Sequence, residues 1–317
     1  MNLKKNVLKF NTILFLGIIC FLITENSSNI PNRNNTNSTF IESSAPEQSN
    51  SDTFFAQLVD HYVDDDKLTA LYNEPDILER LIAFNKCLNE QLNYYELSFQ
   101  ALQSLEYFKG TDNFVKIYNR KGDQIKNQKI EIDEQICYVT SLNTIGINEK
   151  FFNEYLPLVA EGNSFASKDY ILSTSTEIPI ILGHHYKKYY KVGDIIQLNF
   201  LEKNFDFYIK GFFPENLSIY YNSKSIDINN YICMPSFNYT AKSEDANDNL
   251  IWWARYYLQK NHGYIRYNSQ DELESIKQIV TELAQKYDLD YSIIDSVNRI
   301  SRSHEGGIAK WNKGTFY

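Results

Sequence analysis

One stretch of the chain decides its fold: residues 177–213, which read EIPIILGHHYKKYYKVGDIIQLNFLEKNFDFYIKGFF. The apolar run at residues 178–182 is typical of a buried strand, and Gly183 ends it. The tripeptide 192–194, Val-Gly-Asp, predicts a tight turn, because glycine accepts a positive φ and aspartate hydrogen-bonds its own backbone.

The rest of this stretch predicts a helical turn at residues 184–190 and two further strands. Residues 195–200 supply the apolar side chains of the second strand. Apolar and polar residues alternate over 205–210, which is the period of a half-buried third strand, and Asn204 with the charges around it predicts the hairpin turn. This order of elements contains no catalytic constellation, so we expect a binding or transport domain rather than an enzyme.

Four segments of the central region carry a family resemblance: EGNSFASKDY at 161–170, IPIILG at 178–183, KVGDIIQL at 191–198 and FYIKGFF at 207–213. In order and spacing they resemble the extracytoplasmic domain of FtsX-like ABC-transporter permeases of the macrolide-exporter type. That family typically runs G-x-x-F-(T/S)-x-x-D, a strand, G-D-x-I-x-L and then (F/Y)-x-V-x-G. The positions that match the family's fold motif are Gly162, Phe165, Asp169, Gly183, Gly193, Asp194 and Gly211.

The resemblance implies a role without chemistry. In such permeases a cytoplasmic ATPase drives the membrane helices, and the external domain transmits or senses that motion while handling a peptide, drug or lipid-linked substrate. The partners it implies are an ABC ATPase, further permease subunits, a peptide or lipid-like substrate and the membrane. This sequence departs from the family because it shows no further membrane span and no ATPase motif, which leaves binding or coupling as the expected role.

The N-terminal segment, residues 1–24, predicts a transmembrane anchor or signal segment, because three lysines precede the apolar run at 10–23. A cleaved signal peptide lacks a good cleavage site here, and a lipoprotein box lacks a small residue before Cys20. We favour the anchor, with the N-terminus in the cytoplasm and the bulk of the chain outside. Residues 25–53 are polar and predict a flexible linker.

The remainder predicts an α+β fold with two mixed α/β lobes outside the membrane. Residues 54–110 and 260–296 are assigned to a membrane-proximal lobe, and residues 111–259 to an inserted distal lobe, while residues 297–317 are assigned to a loose tail. Helices are expected at 75–93, 148–155, 249–260 and 271–287 from their apolar spacing, and strands at 114–118, 136–147 and 263–267, among others.

Composition excludes some functions. The chain has 317 residues and a formal charge of −9, so a nucleic-acid surface is not expected. Its four cysteines have no metal-ligand spacing and predict isolated buried thiols. The sequence contains no glycine-rich phosphate loop and no HExxH or GxSxG motif, so no cofactor, metal or catalytic residue is predicted.

A few local clusters have two interpretations each. The acidic run 64–66 is either a cation site or a helix cap, and we favour the cap. The adjacent pair His184–His185 points in two directions on a helix and predicts no metal site. The basic, aromatic run 186–191 predicts either contact with an anionic partner or a solvated turn, and Trp252–Trp253 either an exposed patch or a core pair. In both cases we favour the second.

Two rival functions remain open from the sequence. The first is a membrane-anchored binding or adhesion protein that shares only the α+β lobe with the permeases. The second is a secreted hydrolase whose catalytic groups meet only in space, since triads need not be close in sequence.

Overall fold

A computed structural model gives the fold of most of the chain beyond residue 53. The predicted anchor, residues 1–24, and the linker, residues 25–53, lie outside the part it describes. No helix in the described part is both long and apolar enough to cross a membrane. The structure describes residues 54–62, 64–119, 121–132, 135–172, 177–221, 224–239, 247–298 and 301–303.

The chain forms two compact units. The described residues of the smaller unit, 117–119 and 121–123, form a tight loop. In that loop Tyr118 N–H donates to Asp123 O at 2.9 Å, and the Asn119 side chain donates to the Asp123 carboxylate at 2.6 Å. Residues 53–116 and 124–317 make up the larger unit, which contains every element described below.

The larger unit contains strands, α-helices and short 3-10 turns. Its helices are α1 (Asp65–Tyr72), α2 (Ile77–Gln91), α3 (Glu149–Tyr155), α4 (Asn247–Lys260) and α5 (Gln270–Lys286). Its strands are β1 (Phe54–Asp60), β2 (Tyr94–Tyr95), β3 (Leu97–Ser104), β4 (Gln128–Ile132), β5 (Gln135–Ile147), β6 (Glu161–Gly162), β7 (Ile178–Leu182), β8 (Ile195–Phe200), β9 (Lys203–Phe212), β10 (Ser218–Tyr221), β11 (Lys224–Asp227), β12 (Ile232–Pro235), β13 (Tyr264–Tyr267), β14 (Tyr291–Asn298) and β15 (Ser301–Ser303).

Strands from both ends of the described chain form a four-stranded antiparallel sheet in the order β14–β1–β13–β2. Helix α2 connects β1 to β2, and α5 connects β13 to β14, so the connectivity is that of a split β-α-β motif used twice. The helices cover one face of this sheet. The ring of Phe84 on α2, for example, lies 4.8 Å from that of Tyr291 on β14.

The chain between β2 and β13 builds a closed barrel. Six strands pair in the ring β3–β5–β12–β7–β9–β8, and β8 pairs back with β3. Two of the contacts, β5 with β12 and β7 with β9, are parallel, and the others are antiparallel. Closure leaves these strands without free edges, which removes the main aggregation risk of a sheet. Strands β11, β10 and β15 form a separate three-stranded sheet.

One buried core joins the sheet to the barrel. Phe55 and Tyr95 from the sheet pack in the same cluster as Ile145 from the barrel and Phe151 and Phe152 of α3. The rings of Tyr95 and Phe151 meet edge to face at 6.5 Å. The predicted mixed α/β class is confirmed by this architecture. The division into two lobes stays a prediction, since one hydrophobic cluster contains residues of both the sheet and the barrel.

Local sequence signals explain the helix ends. Asp64 accepts the backbone N–H of Lys67 at 2.7 Å and caps α1, which confirms the capping interpretation of the acidic run. Ser269 caps α5 in the same way by accepting the N–H of Glu272 at 3.2 Å. The described residues contain no group of three or more side chains that could hold a metal ion.

The strands predicted from the opening stretch are confirmed at 178–182 and 195–200, but the hairpin turn lies elsewhere. It is formed by Leu201 and Glu202, both with positive φ (48° and 69°), and Asn204 is already inside β9 opposite Asn199. Leucine and glutamate rarely adopt this conformation, so residue preference pointed to the asparagine instead.

Other elements depart from the sequence expectations in detail. The strand expected near residues 114–118 is absent from the described residues there; a 3-10 helix spans 112–114 and Val115 makes one isolated bridge to Leu142. Strand β3 falls within the range assigned to the membrane-proximal lobe, yet it pairs in the barrel. Strand β15 falls within the predicted loose tail.

The described cysteines differ in burial, which predicts a difference in reactivity. Cys233 is buried in β12, and burial raises the pKa of its thiol well above the ordinary value, whereas Cys87 and Cys137 are partly exposed. We expect iodoacetamide at mildly alkaline pH to modify Cys87 and Cys137 at least tenfold faster than Cys233. Peptide mass spectrometry of timed samples measures each site. Equal rates in the folded protein would contradict the buried position of Cys233.

Candidate functional site

Two glycines of the family motif lie opposite each other where β6 pairs with β9. Gly162 pairs directly with Gly211. Gly162 has a φ of +83°, and a Cβ there would lie 2.3 Å from the carbonyl oxygen of Lys210. A Cβ on Gly211 would lie 2.7 Å from Glu161 O. Both positions therefore require glycine because two backbones touch there.

Phe165 and Asp169 anchor the segment that follows Gly162 by packing and by an ion pair. Phe165 is buried, and its ring lies 5.0 Å from that of Phe152. Asp169 accepts the N–H of Ala166 at 2.7 Å and forms an ion pair with Lys210. Both charged side chains of that pair are largely buried. The structure thus brings four of the seven motif residues together, and their contacts are structural.

The other three motif residues lie at two turns. Gly183 follows β7, donates to Tyr231 O at 2.9 Å, and would place a Cβ 2.2 Å from Ile228 O. Gly193 has a φ of +95°, and Asp194 accepts the N–H of Lys191 through its carboxylate at 2.8 Å. These contacts confirm the predicted turn at 192–194. None of the seven residues joins a catalytic grouping within the described part of the chain.

A buried polar cluster lies where the chain passes between sheet and barrel. Glu96 is the single residue between β2 and β3, the outgoing passage. Lys260 ends α4, and Asn261 follows it on the return passage toward β13. Asn85 and Asn89 reach the same place from α2. We call these five residues the crossing cluster.

An ion pair forms the centre of the crossing cluster. Lys260 Nζ lies 3.1 Å from Glu96 Oε2, and the two side chains are 1% and 5% exposed. Lys260 also donates to Phe237 O and to Asn238 Oδ1, each at 3.0 Å. Those two acceptors follow barrel strand β12. One ammonium group therefore connects both chain passages with a loop of the barrel.

Two amides donate to the other carboxylate oxygen of Glu96, Oε1. Asn85 Nδ2 donates to Glu96 Oε1 at 3.1 Å and to Asn261 Oδ1 at 2.9 Å. Asn89 Nδ2 lies 3.3 Å from the same carboxylate oxygen. The backbone carbonyl of Glu96 accepts the N–H of Asn148 at the end of β5. Helix α2, the sheet and the barrel are thus linked through the side chain and backbone of one residue, Glu96.

Burial dominates the electrostatics of Lys260. Loss of solvent lowers the pKa of its ammonium group, and the neighbouring Glu96 carboxylate acts in the opposite direction. A buried charge of this kind is tolerated because it is paired and hydrogen-bonded on several sides. The two charged side chains at its centre are almost fully buried, so their contacts are with other groups of the protein interior.

The sequence contains one signal for this cluster, which is a polar residue on the apolar face of each of two helices. Asn85 lies on the apolar stripe of α2, between Leu81 and Leu88, and is 4% exposed. Lys260 occupies the corresponding place on α4, one turn after Tyr256 and Tyr257. A polar residue on the apolar face of a helix indicates a buried partner, although not which one.

The aromatic and histidine candidates are structural. Trp252 and Trp253 are buried, which confirms the core pair. In the basic run 186–191, Tyr186 is buried and Lys187 forms an ion pair with Glu161 at 2.9 Å. The side chain of His185 hydrogen-bonds to Asn230.

One serine–histidine pair bears on the hydrolase alternative. His61 Nε2 lies 2.8 Å from Ser292 Oγ near the end of β1. The adjacent carboxylate, Asp60, instead pairs with His262. A nucleophile and a base are therefore present without the carboxylate that orients the base in a triad, among the contacts of the described residues.

Comparison with known proteins adds no identification. No model of a protein family matches the chain. No curated protein and no solved structure matches it significantly either.

Proposed function

We propose that this chain is the non-catalytic extracytoplasmic domain of a protein resembling FtsX-like ABC-transporter permeases, where it couples membrane motion to a substrate or partner. The observation that carries the proposal is the register of β1 and β14. Phe55 lies opposite Asn298, and Asp60 lies opposite Tyr291. The chain therefore enters and leaves the sheet at one end, which is the arrangement expected when both ends of a domain face one membrane surface.

The path of the chain supports the same proposal. The barrel strands all lie between β2 and β13, so the barrel is an insertion within the split β-α-β motif. The resemblance implies an inserted distal lobe of this kind. The polar segment 25–53 separates the apolar segment 10–23 from Phe54, and it is long enough to act as a tether.

The crossing cluster supports coupling as the role. It joins the two passages between sheet and barrel by one buried ion pair and the amides around it. A displacement of the sheet is therefore transmitted to the barrel as a rigid unit, because packed interiors deform little. Such a domain handles a peptide, drug or lipid-like substrate in concert with an ABC ATPase and further permease subunits.

Membrane fractionation of the full chain tests the anchor. We expect the protein in the membrane pellet after alkaline carbonate washing, with its C-terminal part accessible to protease from outside the cell. The variant I18K/I19K interrupts the apolar run and should move the protein to the soluble fraction, because charged residues at a span centre oppose insertion. The variant I18V/I19V is the matched control. A wild-type chain found in the soluble fraction contradicts the proposal.

A partner assay tests the coupling role. We expect the detergent-solubilised chain to co-purify with an ABC ATPase and to change the rate of ATP hydrolysis. The hydrolase alternative predicts turnover of ester or peptide substrates that Ser292→Ala abolishes. The adhesion alternative predicts membrane attachment with neither an ATPase partner nor turnover.

A further inference from the structure

A hairpin extends β5 beyond the barrel. Strand β5 has 13 residues, of which 140–147 pair with β3 in the barrel wall. Residues 135–139 pair instead with the five residues of β4. Each residue of β4 therefore has a partner on one side, along β5. The described residues supply no strand for the other side of β4.

An open edge of this kind is a template for another strand. Proteins protect such edges with proline, a bulge, a covering segment or charged side chains that repel an incoming strand of like charge. Strand β4 reads QKIEI and has no proline, and its pairing with β5 is regular over all five positions. Lys129 and Glu131 are exposed on it, and they carry opposite charges.

The charges select a second copy of the same chain as the occupant. In an antiparallel pair, residues directly opposite each other share a face and interact. If the two-fold axis passes beside Ile130, all five residues pair and Lys129 lies opposite Glu131 of the second copy, twice. If the axis passes beside Lys129 or Glu131, that residue faces itself and like charges meet. One symmetric register is therefore favoured over its neighbours.

Apolar side chains flank these charges on the same face of the hairpin. Tyr138 is opposite Lys129, and Ile136 is opposite Glu131. Ile136 is 68% exposed, and Tyr107, whose ring meets that of Tyr138 at 5.4 Å, is 59% exposed. A second hairpin brought against β4 would cover part of this surface, which gives the contact a hydrophobic contribution.

We propose that two copies of this chain associate through β4, forming a continuous antiparallel sheet β5–β4–β4–β5 with a two-fold axis beside Ile130. This isologous contact closes on itself and limits assembly to a dimer. Five paired residues and their flanking side chains make a small interface, so the dimer forms and dissociates with protein concentration. The proposal is independent of the transport-related role.

Charge exchange on β4 tests the proposal by sedimentation velocity of the full chain in detergent. In K129E both cross-axis pairs become carboxylate against carboxylate, and in E131K both become ammonium against ammonium. We expect each single variant to dimerise about tenfold more weakly than wild type. The double variant K129E/E131K should return to wild-type affinity, because each pair is again of opposite charge.

Mixing the two single variants gives the sharpest result. A K129E chain has two negative charges on β4 and an E131K chain has two positive ones, so the mixture should form a heterodimer while neither variant self-associates well. Fluorescent labelling of one chain reports this species. The exposed Lys86 on α2 supplies the control, since K86E carries the same charge change and should leave dimerisation unaltered.

Three outcomes would overturn the proposal: a wild-type chain that is monomeric at all concentrations, single variants that associate as well as wild type, or a mixture that does no better than its components. The second outcome would direct attention to another protein as the occupant of the β4 edge. Restoration by mixing supports the proposal and cannot arise from misfolding, because both chains carry a defect alone.

Discussion

Lys260→Met is expected to lower the free energy of unfolding by about 3–5 kcal/mol. The substitution keeps the volume of the side chain and removes its charge. Glu96 would then be a buried carboxylate with only amide donors from Asn85 and Asn89 as partners. An uncompensated buried charge is costly because the protein interior solvates it poorly. Urea unfolding followed by circular dichroism measures the loss.

A double variant separates the cost of a broken pair from the worth of the pair itself. Replacing both partners, in E96L/K260M, should recover most of the stability lost in K260M, because no charge is left buried. The matched control is Lys86→Met, whose ammonium group lies 3.7 Å from Glu90 on the exposed side of α2. It should change stability by no more than about 0.5 kcal/mol. A K260M variant as stable as K86M would contradict the crossing cluster as described.

Gly162→Ala is the second substitution with a large expected effect, a loss of about 3 kcal/mol or more. Two costs combine at this position. The backbone has a φ of +83°, which a side chain makes unfavourable, and the new methyl group would lie 2.3 Å from the carbonyl oxygen of Lys210. Because β6 cannot keep its contact with Gly211 under those conditions, we expect the segment around Phe165 to separate from the core.

Gly193 provides the matched control for this prediction. Its φ of +95° imposes the same backbone strain, but a Cβ there would meet nothing within 4 Å. Gly193→Ala should therefore cost only about 1 kcal/mol. Thermal unfolding of the two variants and wild type compares the costs directly. Equal losses would mean that the close approach of Gly162 to β9 contributes nothing.

For the barrel, sequence patterns predict individual strands but not how the strands pair. Strands β7 and β8 were predicted with their observed bounds, because a run of apolar residues between turn formers has few alternatives. The closure of the barrel was not predicted. It depends on the parallel pairing of β12 with β5, in which Ile232 lies beside Thr144, and nothing local in either strand specifies that partner.

Part of the candidate site could be identified from the sequence, and part could not. The motif glycines were identified from the sequence, since glycine is the residue that marks a turn or a close backbone approach. The crossing cluster was not, because Glu96 looks like an ordinary polar residue beside a strand and Lys260 like an ordinary basic residue at a helix end. Their burial follows from packing between distant segments.

By itself, the sequence determined the mixed α/β class, most helices and strands, and the absence of a known catalytic motif, because each depends on residue spacing within about 20 positions. Only the tertiary structure decided that the sheet's first and last strands lie side by side, that the inserted strands close into a barrel, and that one buried ion pair joins the two. These are contacts between segments far apart in the chain, and their free energy appears only when the chain is folded.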